Sequence, residues 1–184
     1  MKKTLVRDLM VPLSEYATVT EGSTLSDAVM ALKDAQARFD QNRYRHRAIL
    51  VLDAAGRVVG KVGMIDVLRS LEPKYGDMLS DQGPLHIGFT KQYMQSMIEQ
   101  LKLWEEPLEH ICQKASERRV DTFMRRPREG ETIDAAATLD EAIHQFVLGH
   151  HNSLLVAEGD AIIGILRVTD VFEAICESVS ACQG

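Results

Sequence analysis

Two short passages carry the residues with the most chemistry to offer, "GKVGMIDVLRSL" from Gly60 to Leu71 and "GILRVTDVFEAI" from Gly164 to Ile175. Each runs from an apolar stretch into a helix, and each has an acid three places past the residue where that helix begins: Asp66 after Gly63, Asp170 after Arg167. The first turn of a helix leaves backbone N–H groups unpaired at the positive end of its dipole, which suits an anion. Gly63 leaves those groups open without adding a donor, whereas Arg167 adds a fixed charge and a forked donor that matches phosphate. The two places are expected to be unequal, the one at Arg167 being better suited to a phosphorylated ligand. Plainer roles compete: each Asp as the cap of its own helix, worth up to about 1 kcal/mol, and Arg167 as a surface partner of Glu173 or Asp170.

Other candidate chemistry is thinner. The stretch Arg38, Arg43, Tyr44, Arg45, His46 and Arg47 is the most basic in the chain. It reads either as a dock for a polyphosphate tail or an acidic partner, or as a solvated helix end. His110 with Cys112, and His150 with His151, lack the four-ligand spacing of a structural zinc site. "GKVG" lacks the glycine-rich lead and the Ser/Thr of a phosphate loop, and no nucleophile motif or dinucleotide fingerprint is present. Catalysis is not expected, and no cofactor is required.

Composition narrows the partners. The 184 residues include 21 Lys and Arg against 27 Asp and Glu, a formal net charge of −6. That balance disfavours nucleic acid, whose binding rests on neutralising many phosphates. Cys112, Cys176 and Cys182 are an odd number without paired spacing and read as free thiols of a reducing compartment. Arg7 and Asp8 interrupt the opening apolar run before a signal-peptide core could form, and no apolar stretch approaches the roughly 18 to 20 residues that span a bilayer. A cytoplasmic location, without a membrane partner, is expected.

The elements that position Asp66 and Asp170 occur twice. "LMVPLSEYATVTEGSTLSDAVMAL" and "FMRRPREGETIDAAATLDEAIHQF" match with a constant offset of 114, pairing Met10 with Met124, Thr18 with Thr132 and Leu25 with Leu139. Later the offset is 104, pairing Gly60 with Gly164 and Asp66 with Asp170, so the first copy carries an insertion, mostly in "RFDQNRYRHR". Thr24 with Asp27 and Thr138 with Glu141 are capping-box starts. Leu25, Ala28, Val29 and Leu32, and their twins Leu139, Ala142, Ile143 and Phe146, recur at helical spacing and predict inward faces. "AILVLD" and "SLLVAE" predict buried strands, each followed by a Gly-containing turn and a second strand. In the closing helices Val67 and Leu68, or Val171 and Phe172, are expected to face inward. Each copy therefore reads strand, helix, strand, strand, helix, and two such units packed sheet to sheet would cover each other's apolar face and form clefts between them.

The boundaries follow: a first repeat over 1–73, a helical connection over 74–119, and a second repeat over 120–184. In the connection, Tyr93, Met94, Met97, Ile98, Leu101 and Trp104 recur at helical spacing, and Pro107 suits the first turn of a second helix. The helices over 89–118 either pack on the chain's own repeats or offer an adaptable Met-rich face to an unidentified protein partner.

The order of a leading Met, a Thr-x-x-acid helix start, an apolar strand and a Gly-h-h-x-x-x-Asp passage, present in both copies, resembles the CBS domain, and the tandem resembles a CBS pair, or Bateman module. The likeness covers about residues 5–72 and 120–178. It implies an α/β (α+β) fold of two βαββα repeats with pseudo-twofold symmetry, plus the inserted helical segment. It also implies a non-catalytic regulatory module that binds an adenosine-type ligand (AMP, ADP, ATP or S-adenosylmethionine) between the repeats, and a homodimer. In that family a terminal Asp meets the ribose hydroxyls, which falls here on Asp66 and Asp170. Thr18, Thr132, Arg47, Ala48, Asn152 and Ser153 correspond to positions around the base. The family's hydroxyl residue ahead of the Asp, which meets phosphate, is replaced by Gly63 and Arg167. The alternative from another class is a ligand-free interaction module with degenerate sites.

Overall fold

The computed structural model describes residues 4–39, 43–72, 74–75, 90–103, 110–128 and 130–182. Thr24 and Thr138 start helices as their sequence implies. The Asp27 N–H donates to Thr24 Oγ1 at 3.1 Å while the Thr24 N–H donates back to Asp27 at 2.8 Å, and Thr138 repeats this exchange with Glu141. These boxes open α2 (Leu25–Arg38) and α6 (Leu139–Gly149). The first repeat then reads β2 (Thr18–Thr20), α2, β3 (Ala48–Leu52), β4 (Val58–Gly63) and α3 (Met64–Ser70). The second reads β5 (Thr132–Asp134), α6, β6 (Ser153–Glu158), β7 (Ala161–Arg167) and α7 (Val168–Ala181). The predicted element order is met in both copies.

β3 and β6 are nearly continuous apolar runs because both faces of each are covered. In both sheets the central strand pairs in parallel with the strand before the helix and antiparallel with the strand after it. Leu50 on β3 and Leu155 on β6, twin positions, meet in a shared cluster with Val11, Tyr16, Phe39 and Ile165. That cluster is the contact between the two sheets. Separate clusters under the helices fill each repeat.

The segments that lead into the repeats are exchanged. A short helix α1 (Val6–Leu9) and strand β1 (Val11–Pro12) precede the first repeat but lie on the second: Leu5 bridges Thr138, and Val11 pairs with Ile165. The matching leader of the second repeat crosses to the first, where Arg119 bridges Thr24 and Arg125 bridges Lys61. These contacts are related by the two sequence offsets, so the pseudo-twofold axis holds to single residues. Val6, fully buried, completes the second repeat's core, and its twin Val120 completes the first. The crossing also explains the paired glycines. A Cβ at Gly164 would lie 2.5 Å from the Val11 carbonyl oxygen, and one at Gly60 would meet the Met124 sulfur.

Some apolar positions face outward instead of inward. Val29, Leu68 and Phe172 are exposed, and the core stripe of α2 is Leu25, Ala28, Leu32 and Ala35. Periodicity marks an apolar face but not what covers it. Between the repeats lie α4 (Lys91–Leu101) and α5 (Ile111–Glu117). Tyr93, Met94, Ile98 and Leu101 on α4 are exposed. The expectations for Trp104 and Pro107 lie outside the described residues. Among the described residues no helix is long and apolar enough to cross a membrane, and Cys112, Cys176 and Cys182 are exposed free thiols.

Candidate functional site

A cleft of about 260 Å³ opens between the repeats. β4 brings Lys61 and Gly63 to it, the start of α3 brings Asp66, the end of the insertion brings Arg45 and Arg47, and the start of β3 brings Ala48. From the second repeat come His150, His151, Asn152, Ser153 and Arg167. His150 ends α6 in the left-handed region (φ 50°), which turns His151 and Asn152 out of the helix direction. Seven of the ten residues expected at a site are therefore together: Arg47, Ala48, Gly63, Asp66, Asn152, Ser153 and Arg167. Thr18, on β2, and Thr132, exposed on β5, do not line the cleft, and neither does Asp170.

Asp66 and Asp170 cap their own helices. The Gly63 N–H donates to Asp66 Oδ2 at 2.8 Å, and the Arg167 N–H donates to Asp170 Oδ2 at 3.3 Å. Beyond that shared contact the two halves diverge. Asp66 carries one further partner, the half-exposed Arg125, whose Nε lies 3.1 Å from Oδ2. Arg125 arrives on the exchanged leader.

At the other half, the fork of Arg167 is spent inside the protein, not held open for phosphate as the sequence suggested. Its Nε donates to Asp170 Oδ2 at 2.6 Å, one Nη bonds Asp170 Oδ1, and the other donates to the Tyr44 carbonyl at 2.5 Å and approaches His46 Nδ1 at 3.4 Å. Arg43 adds a second cation 3.5 Å from Asp170. The insertion therefore occupies this half. His46 is buried between the rings of Tyr16 and Phe39, with centroids 4.3 and 4.2 Å away, and Phe39 lies under both Arg43 and Arg167. The basic stretch is thus neither a solvated helix end nor uniformly a dock.

Burial and the Arg167 charge beside it push His46 down to about 4, with Arg43 adding to the effect and Asp170 opposing it. The imidazole is neutral in the folded protein, with its Nε2 buried and unpartnered. A base whose pKa is lowered on folding binds more protons when unfolded, so stability is complete above the unfolded value of 6.5 and declines as pH falls from there to about 4. Burial likewise pushes the Tyr16 hydroxyl up to about 12. In urea unfolding, the wild type is expected to lose ~2 to 3 kcal/mol more than His46→Phe across that window. Parallel pH profiles for the two proteins would contradict the assignment.

Sequence reasoning missed one buried pair. Lys61 and Glu131, both buried, stand 3.5 Å apart in the cleft lining, and Lys61 Nζ also lies 3.3 Å from Ser153 Oγ. Burial pulls the Lys61 ammonium below its ordinary range, and the Glu131 carboxylate partly offsets that. The signal was present in the repeat: the offsets match Lys61 to Ile165 and Glu131 to Ala17, so the first cleft is charged where its twin is apolar.

Two interlocked βαββα units around one cleft define a tandem α+β module. The chain belongs to the CBS domain family, which it matches over residues 6–73 and 116–177. No curated protein matches the chain. Among solved structures, the CBS-pair protein CBSX2 from Arabidopsis thaliana is 18% identical, with 97% of this chain and 99% of that one covered and a TM-score of 0.58. A structure titled CBSX2 in complex with AMP aligns at 17% identity over 94% of this chain and 96% of that one, with a TM-score of 0.58. A CBS domain-containing protein of unknown function from Bacillus anthracis str. Ames Ancestor is 15% identical, covered 95% and 94%, with a TM-score of 0.59. These likenesses establish the fold.

Proposed function

We propose that the chain is a non-catalytic, cytoplasmic sensor module that binds an adenosine-type nucleotide in the cleft between its repeats. The observation that carries this is the placement of Asp66: a carboxylate fixed at the start of α3, in a cleft lined also by Ala48 of one repeat and Asn152 of the other. A carboxylate held in that way can accept from two neighbouring ribose hydroxyls. The AMP complex of the structurally similar CBSX2 supports the same ligand class. The ligand acts by its differential affinity for two arrangements of the repeats or of two chains. α3 exposes Met64, Ile65 and Leu68, and its twin α7 exposes Phe172, Ile175 and Val179. These two faces support a homodimer, and the exposed stripe of α4 supports a further protein partner.

A thermal-shift series with AMP, ADP, ATP and S-adenosylmethionine tests the sensor. Ligand at a hundred times its dissociation constant stabilises by about 2.7 kcal/mol, a rise in Tm of roughly 5 to 11 °C at this chain length. Asp66→Ala is expected to abolish that rise. No shift with any of the four would favour the ligand-free interaction module, whose support is Gly63 in place of a hydroxyl residue and Arg125 lying over Asp66.

A further inference from the structure

The cations of the cleft divide into two kinds. Lys61 is matched by Glu131, Arg125 by Asp66 and Arg167 by Asp170. Arg45 and Arg47 line the same cleft, are exposed, and their side chains make no ion pair or hydrogen bond among the described residues. Two unmatched guanidinium groups on one wall, in a chain with a net charge of −6, are a local excess of positive charge that the protein does not itself neutralise. Planar forked donors of this kind suit phosphate oxygens, which they hold two at a time.

Both arginines belong to the insertion, and so does the group that fills the other half. Along Tyr44–Arg47 the contacts alternate: the Tyr44 carbonyl and the His46 ring turn to Arg167, while Arg45 and Arg47 turn to the open cleft. We propose that this segment commits the chain to one nucleotide with two or more phosphates, gripped by Arg45 and Arg47, because the same segment that arms the open half occupies its twin through Arg43, Tyr44 and His46. The proposal rests on the nucleotide reading above and adds to it the stoichiometry and the ligand class. A monophosphate would leave much of the arginine pair unused, and S-adenosylmethionine, a sulfonium without phosphate, would meet like charge.

Titration calorimetry with AMP and ATP, at fixed salt, separates these statements. One ATP per chain is expected, bound about tenfold to a hundredfold more tightly than AMP. The double variant Arg45→Ala, Arg47→Ala should remove the difference in affinity between ATP and AMP and leave the unliganded Tm unchanged. Two nucleotides per chain, or ATP no tighter than AMP, would overturn this inference while leaving the sensor standing. Binding of neither nucleotide would overturn this inference, and the sensor falls with it only if ADP and S-adenosylmethionine also give no thermal shift.

Discussion

Replacing Lys61 by isoleucine is expected to destabilise the protein by about 3–5 kcal/mol, whereas the double variant Lys61→Ile, Glu131→Ala should recover to wild-type stability or exceed it. The single change strands the Glu131 carboxylate in a buried site, and taking a charge out of water without a partner is among the largest penalties a substitution can impose. The double change removes both charges. Its feasibility is written in the molecule, because the twin positions Ile165 and Ala17 already fill the corresponding place in the other half, where both are buried. Urea unfolding of the four proteins closes the cycle. A double variant as unstable as Lys61→Ile would show that Glu131 contributes through contacts other than this pair. If the double variant is stable and its nucleotide response is weaker, then the pair is kept for the ligand and not for the fold.

Asp170→Asn should cost a similar amount, about 3–5 kcal/mol, for a different reason. It leaves Arg167, itself buried, and Arg43 facing an amide that cannot neutralise either. The Tyr44 carbonyl would remain as a single neutral acceptor. The nucleotide-induced rise in Tm is expected to survive, since Asp170 does not line the cleft. Asp66 should behave in the opposite sense. Its arginine is half exposed, so loss of that pair costs little, and what disappears is the ligand response. Denaturation midpoints and thermal shifts, measured on both variants, would show this crossing. A loss of response in Asp170→Asn at unchanged stability would contradict it.

The repeat made most of the fold legible. Twin capping boxes, twin apolar runs and twin Gly-to-Asp passages gave the element order, because each of these signals is local and each occurs twice. The exchange of leaders was not legible. Val11 alternates as well against its own repeat as against Ile165, and nothing in a strand's pattern names its partner. The outward-facing Leu68 and Phe172 were misplaced for a related reason, since an apolar face marks a need for cover without saying what supplies it.

Of the ten residues expected at a site, seven line the cleft: Gly63, Asp66 and Arg167 stand in the Gly-to-Asp passages, and Arg47, Ala48, Asn152 and Ser153 came as positions around the base only with the resemblance to the CBS domain. The inequality of the two halves was expected, and in the folded chain the fork of Arg167 is already paired. An arginine beside an acid three residues away and an inserted basic segment satisfy one another in the folded chain. Sequence alone gives the chemistry of a group and not whether it is already spoken for.

The exchanged leaders also set the order in which the protein can be completed as it leaves the ribosome. The leader that carries Val120 emerges after the first repeat and can dock on it at once, whereas Val6 and Val11 emerge early and must wait for Ala135 through Ile165 to be made. Val11 pairs across more than 150 positions, among the longest closures this chain allows, and such closures slow folding. During that interval the first leader, though short, presents an unpaired strand and an uncovered valine. Nascent chains of this protein are therefore most exposed to misassembly just before the last strand appears.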